Sequence, residues 1–359
     1  MAAPLELGPE VRALYDVVNC LPDAGAPAAY CKRVEPRFKR FREHWGTKGT
    51  AFLKALQPEG LPKELVYPFA GGDLMMGLAT YPEAEVVTTL SLELAGDPRR
   101  LKGLDAARLT KSLDAIAEAA ASTLSSNDSK SVNLSKIQQG DLPGQLAMHL
   151  MGLALNGRAP VAARCFRVEP DGALHYYTRE EVDALEGKTA EKLKSNWLPP
   201  DFSPVFANVE VEHVPVNEPA AKPRTWRHIA ANLSNPGNEA APGVLKHLAA
   251  KGRVAAMTKA ASYLLWREDF GLTRQYLVEH ARFMISDSTG VPLRFWPKTC
   301  TIQTYGAFDQ TFLRTGPTLQ GELKDEFAKQ PRRALPIRFG YPDGSPEKKS
   351  HLFTVDCPP

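Results

Sequence analysis

Hydrophobic and polar positions change period several times along the chain. Leu14, Val17 and Val18 share one helical face near the N-terminus. Phe38, Phe41 and Trp45 then recur at i, i+3 and i+7, one stripe of a helix that starts at Pro36, a residue suited to a first helical turn. Residues 1–60 therefore read as an N-terminal helical extension. From residue 61 the period shortens. ELVYPF reads as a short buried strand, AGGD as a turn, LMMGLATYP as a short helix ended by Pro82, and EVVTTLSLEL as a β-branched strand ending near Glu93. A strand–turn–helix–strand unit predicts two parallel neighbours joined by a right-handed crossover.

Residues 104–124 carry a strong helical pattern, SSNDSKSVN is a loop, and residues 142–156 form a helix that is nearly apolar all round and so buried. VAARCFRV and ALHYYT flank the turn EPDG and predict a hairpin. In TREEVDALEGKTAEKLKSNW, Thr178 followed by Glu181 makes a capping box for a helix. NVEVEHVPV and TWRHIAANLS read as strands. Between Val244 and Ile285 the pattern reads as two helices, the first placing Val254, Met257, Ala261 and Leu264 on one face. After TIQTYG comes a helix around ELKDEFAKQ. LPIRFGYP and HLFTVDC, separated by PDGSPEKKS, then predict a C-terminal antiparallel hairpin. The order points to an α/β domain over residues 61–359. Its expected core is a mixed, mainly parallel, doubly wound (Rossmann-like) sheet of at least five strands with helices on both faces.

Charge and composition narrow the partners. In 359 residues, 44 Lys and Arg stand against 41 Asp and Glu, a net charge of +3, which excludes polyanion binding through the whole surface. Nucleic acid is thus not an expected partner. A hydrophobic content of 43% excludes wholesale disorder. Seven of the basic residues fall between Lys32 and Lys48, so the helix Pro36–Trp45 can contact an anionic membrane surface. The plainer alternative packs its aromatic stripe on the protein body and leaves its charges in water. No run of about 18 apolar residues predicts a membrane span, and the first residues carry no leader pattern, as in a chain whose leader has been removed.

The five cysteines have no zinc spacing, and no metal site is expected. Cys20 and Cys31 can close a short disulfide loop, and Cys357 can reach Cys300; the alternative is five free thiols in a cytoplasmic protein. The eight histidines form no HxH or HExxH pattern, and His149, on the apolar helix, reads as a hydrogen-bonded core residue. No GxSxG elbow and no P-loop occur, against an α/β-hydrolase or a P-loop nucleotide triphosphatase.

Candidate chemistry gathers at strand ends. Gly71, Gly72 and Asp73 sit between the first strand and its helix, where glycines admit a ligand close to the backbone. Glu93 ends the next strand about twenty residues later, where an acid commonly bonds ribose hydroxyls. The alternative is a tight turn and an ordinary surface glutamate. His228 lies in the TWRHIAANLS strand, and Asn232 and Ser234 would face the crevice at its end. Asp287 and Ser288, in the loop Ser286–Gly290 after a predicted helix, could orient a substrate, or merely bond to their own turn.

In element order the chain resembles the class I methyltransferases, whose sheet also ends in an antiparallel hairpin. That resemblance implies an S-adenosylmethionine-type cofactor at Gly71, Gly72, Asp73 and Glu93, although GxGxxG is absent and Pro68-Phe69-Ala70 stands where an acid usually leads into the glycines. The segment YPFAGGDL…TTLSLELAGDP resembles uncharacterised bacterial proteins, lipoproteins among them. It implies no activity and points to the periplasm or envelope of a Gram-negative bacterium. Two functions follow: a Rossmann-like small-molecule or nucleotide/cofactor-binding protein, methyltransferase-like in its most plausible form and with catalysis left open, or a non-catalytic extracytoplasmic envelope or secreted binding protein on the same scaffold.

Overall fold

The computed structural model describes residues 2–126, 134, 136–137, 140–186, 203–308, 321–340 and 350–358. Three helices open the chain: α1 (Gly8–Val18), α2 (Ala28–Glu43) and α3 (Thr50–Ala55), the last two joined by a π-helical turn at His44–Gly49. Pro36 lies inside α2 rather than at its first turn, because the helix starts eight residues earlier, at Ala28. Phe38, Phe41 and Trp45 are buried, so the aromatic stripe packs on the body while Lys39, Arg40 and Arg42 stay exposed. No helix among the described residues is long and apolar enough to cross a membrane.

The predicted crossover follows. β1 (Glu64–Pro68), α4 (Leu74–Thr80) and β2 (Val86–Ser91) form one unit, and β1 pairs parallel with β2. Every residue of α4 is buried, since it lies between the sheet and α6 (Gly144–Leu155), itself almost wholly buried. Gly152 permits that approach: a Cβ there would stand 2.8 Å from the Met75 nitrogen. α5 (Ala106–Ser126) precedes α6. Of the expected loop SSNDSKSVN, Ser125 and Ser126 are the last residues of α5 instead, and residues 127–133 lie outside the described residues.

β3 (Arg158–Val168) and β4 (Leu174–Tyr176) form the predicted hairpin, and α7 (Arg179–Glu186) starts with the capping box. The Thr178 N–H donates to Glu181 Oε2 at 2.8 Å, and the Glu181 N–H donates to Thr178 Oγ1 at 3.3 Å. The rest of that predicted helix, from residue 187, lies outside the described residues. β5 (Asn208–Pro215), β6 (Arg224–Ala230), α8 (Asn235–Ala240) and α9 (Gly243–Ala249) come next.

Residues 254–286 depart from the expectation. The two predicted helices contain two central strands, β7 (Val254–Thr258) and β8 (Ala281–Ser286), with only α10 (Gly271–His280) between them as an α-helix. VAAMT is rich in alanine, the best helix former, yet all five residues are buried between two layers. A short run buried on both faces has no alternation to betray a strand. β9 (Thr301–Gly306), α11 (Gly321–Lys329) and β10 (His351–Asp356) close the chain. The antiparallel partners of β10 are β8 and β9, not LPIRFGYP. Residues 335–340 form no strand, and both edges of β10 are already taken. Residues 341–349 of the predicted connection lie outside the described residues.

Among the described residues the strands form a ten-stranded mixed sheet in the order β4-β3-β5-β6-β2-β1-β7-β8-β10-β9. Five of its nine neighbouring pairs are antiparallel, so the expectation of a mainly parallel sheet does not hold. Parallel pairing is confined to the five central strands from β6 to β8. The excess comes from β3, β4 and β5, inserted between β2 and β6 and added beyond β6. Helices cover both faces. Leu65, Tyr67, Ala255 and Met257 pack with the N-terminal helices, α5 and α6. Val66, Ala256 and Met284 pack with α9 to α11.

Candidate functional site

The order of the central strands reverses at β1, with β2 on one side and β7 on the other. The carboxyl ends of strands flanking such a reversal bound the crevice where open α/β sheets bind ligands. Asp73 caps α4 here, its Oδ1 accepting the Met76 N–H at 3.4 Å. Its Oδ2 meets Lys259 Nζ, one residue beyond β7, at 2.7 Å, and both side chains are almost fully enclosed. Tyr67 donates its hydroxyl to the same oxygen at 2.9 Å. Burial pushes the Asp73 carboxyl up, against the pull of the Lys259 ammonium, and burial followed by the Asp73 charge pushes the Tyr67 phenol well up. The phenol thus keeps its proton. A carboxylate, an ammonium and a phenolic O–H in contact, away from water, can hold a proton or recognise a polar ligand group.

The backbone around this cluster is strained. Phe69, Ala260, Ser262 and Tyr263 all have positive φ although none is glycine. Such residues cost on the order of 1–3 kcal/mol each and gather at functional sites. The β7 loop is held by the one after β8: the Ala260 N–H donates to Asp287 Oδ2 at 2.8 Å, and the Ala261 N–H to Thr289 Oγ1 at 2.7 Å. Asp287 also accepts the Thr289 N–H at 2.9 Å, and Ser288 Oγ meets the Tyr263 hydroxyl at 2.9 Å. The loop Ser286–Gly290 follows a strand rather than a helix, which corrects the sequence expectation. Gly340, at φ +67°, lies over Asp287, where a Cβ would overlap its side chain.

Beneath the glycine turn lies a second polar group. Gln145 Nε2 donates to the Gly71 carbonyl at 2.5 Å and stands 3.1 Å from His149 Nε2. The His149 ring packs 4.5 Å from Trp226 and 5.2 Å from His228. His228 Nε2 lies 2.7 Å from the Glu93 carbonyl, which can only accept, so Nε2 carries the proton and Nδ1 faces Thr89 Oγ1 at 3.2 Å. Burial holds His228 at about 4 and His149 well below its usual value. Both rings are neutral at pH 7, and His149 is a core residue bonded to Gln145.

The residues singled out in the sequence do not all meet. Gly71, Gly72 and Asp73 form one turn, but all three are buried, and Gly72 faces the Met148 side chain. Glu93 is half-buried just past β2. Its carboxylate makes no hydrogen bond or ion pair among the described residues, and Leu92 beside it is 71% exposed. Asp287 and Ser288 join the β7 side of the crevice. Asn232 and Ser234 serve their own loop: Asn232 Oδ1 accepts the Ser234 N–H at 3.0 Å, and Ser234 caps α8.

The chain matches no protein-family model, no curated protein and no solved structure. The site therefore stands on its own geometry. Lys259 and Tyr67 were not legible as site residues in the sequence. A reading of VAAMT as a strand would have placed Lys259 at its carboxyl end, in the crevice. Among the described residues no group of three or more His, Cys, Asp or Glu is placed to hold a metal ion.

Proposed function

We propose that the protein is a Rossmann-like, methyltransferase-like small-molecule binder that takes an adenosine-type cofactor, such as S-adenosylmethionine, at the carboxyl ends of β1 and β2. One observation carries this reading: the buried Asp73–Lys259–Tyr67 cluster, in a strained loop setting, lies where the parallel strand order reverses. The order β6-β2-β1-β7-β8 also corresponds to the 3-2-1-4-5 succession of doubly wound nucleotide-binding sheets. The residues at β2 fit such a ligand. Glu93 offers an uncommitted carboxylate to two ribose hydroxyls, and exposed Leu92 offers an apolar surface to a flat base. Asp73, already engaged, positions the turn. When bound, such a cofactor would supply an electrophilic methyl group.

The test is a thermal shift with adenosine, S-adenosylmethionine and S-adenosylhomocysteine. A ligand at a hundred times its Kd adds about 2.7 kcal/mol, which for a chain of this length is a rise in Tm of roughly 3–4 °C. Glu93→Ala should abolish the rise. No shift with any of the three, or a shift unaltered in Glu93→Ala, rejects the cofactor reading.

The two disulfides favour a second reading on the same scaffold, a non-catalytic binding protein of the periplasm or envelope. Cys20 is bonded to Cys31 and Cys300 to Cys357, and disulfides persist chiefly in oxidising compartments.

A further inference from the structure

β9 and β8 are both antiparallel to β10, so β9 ends on the same rim of the sheet as the Asp287 loop. Two contiguous cavities of about 380 and 300 Å³ lie at that end and share Gly306, Ala307, Arg332 and Arg333 as walls. Lys324 and Phe327 of α11, with Phe308, complete the smaller one. Among the described residues no Asp or Glu lines either cavity. Lys324 and Arg332 are exposed and make no ion pair among the described residues.

The walls are held by the local backbone. Gly306 has φ +84°, and a Cβ there would run into the Ser350 carbonyl. That kink lets residues 332–335 close against the strand end, with the Gly306 N–H donating to the Arg333 carbonyl at 2.9 Å. Arg333 is itself fixed, Nη1 donating to Gln330 Oε1 at 2.8 Å with its guanidinium over the Tyr305 ring. Phe308 and Phe327 pack 5.5 Å apart, and the Phe308 ring meets His351 edge-on at 5.0 Å. His351 Nε2 accepts the Ser288 N–H at 3.0 Å, which ties this wall to the Asp287 loop.

We propose that this rim cavity binds an organic phosphate, its phosphoryl group on Lys324, Arg332 and Arg333 and its flat apolar body against Phe308 and Phe327. Three cations, with no acid among the described lining residues, match a dianion better than a single carboxylate, and arginine forks suit phosphate oxygens. The aromatic pair gives the rest of the molecule an apolar face. This site goes beyond the cofactor reading and does not depend on it.

Calorimetric titration of the full chain with phenyl phosphate tests it, with inorganic phosphate and phenol as comparators. Phenyl phosphate should bind more tightly than either comparator and more weakly as salt rises. Arg332→Gln and Lys324→Gln, at exposed positions that leave the core untouched, should each weaken it roughly tenfold, with the circular dichroism spectrum unchanged. Glu93→Ala should bind phenyl phosphate like the wild type, so failure of the adenosine test leaves this one standing. Absence of phenyl phosphate binding overturns the proposal. So does equal affinity for inorganic phosphate or phenol, or affinity unchanged in both charge variants.

Discussion

Replacing Lys259 by Met keeps the length of the side chain and removes its ammonium. Asp73 is then a carboxylate in an enclosed site, with the Tyr67 hydroxyl and the Met76 N–H as its remaining partners among the described residues. Removing one member of a buried pair costs about 3–5 kcal/mol. At about 2.1 cal/mol/K of unfolding entropy per residue, that is a fall in Tm of roughly 4–7 °C for this chain. Asp73→Asn should also destabilise, by removing the carboxylate beside the enclosed Lys259 ammonium, although asparagine still caps α4 as well as aspartate does. The double variant removes both charges and should lie within about 2 kcal/mol of the wild type, so that the single losses do not add. Urea denaturation followed by circular dichroism measures all four proteins. The sign with pH adds a check. Burial already raises the Asp73 carboxyl, and loss of Lys259 raises it further. The deficit of Lys259→Met should therefore shrink as pH falls and the carboxyl takes up a proton. A Lys259→Met protein within 1 kcal/mol of the wild type, or a double variant that loses the sum of the singles, refutes the buried ion pair.

Two other outcomes are expected. Protein from an oxidising compartment, denatured without reductant, should show one free thiol, Cys165, and five after reduction; five free thiols before reduction would remove the extracytoplasmic reading. His228 is held at about 4 when folded, against about 6.5 unfolded, so its neutral form supports the fold above pH 6.5, and that support of roughly 3 kcal/mol drains away as pH falls toward 4. The slope of stability against pH between 6.5 and 4.5 should flatten in His228→Gln, and an unchanged slope would mean that His228 is not buried neutral.

What the amino-acid order determined by itself is local. The capping box of α7, the β3/β4 hairpin, the burial of α6 and the β1–α4–β2 crossover depend on residues a few positions apart, whose turn chemistry and period are written in one short stretch. The glycine turn and Glu93 were placed for the same reason. Tertiary structure decided the rest. β7 and β8 are strands because two layers of side chains bury them on both faces, a condition no window of sequence contains. The balance of parallel and antiparallel rests on nine pairings between distant segments, and β10 pairs with β8 and β9 rather than with the nearer LPIRFGYP. The ion pair at the centre of the site joins Asp73 to Lys259 across the strand order reversal. Asp73 stands out in its own segment but Lys259 does not, and only the packing of β1 beside β7 encloses both and makes them one chemical unit.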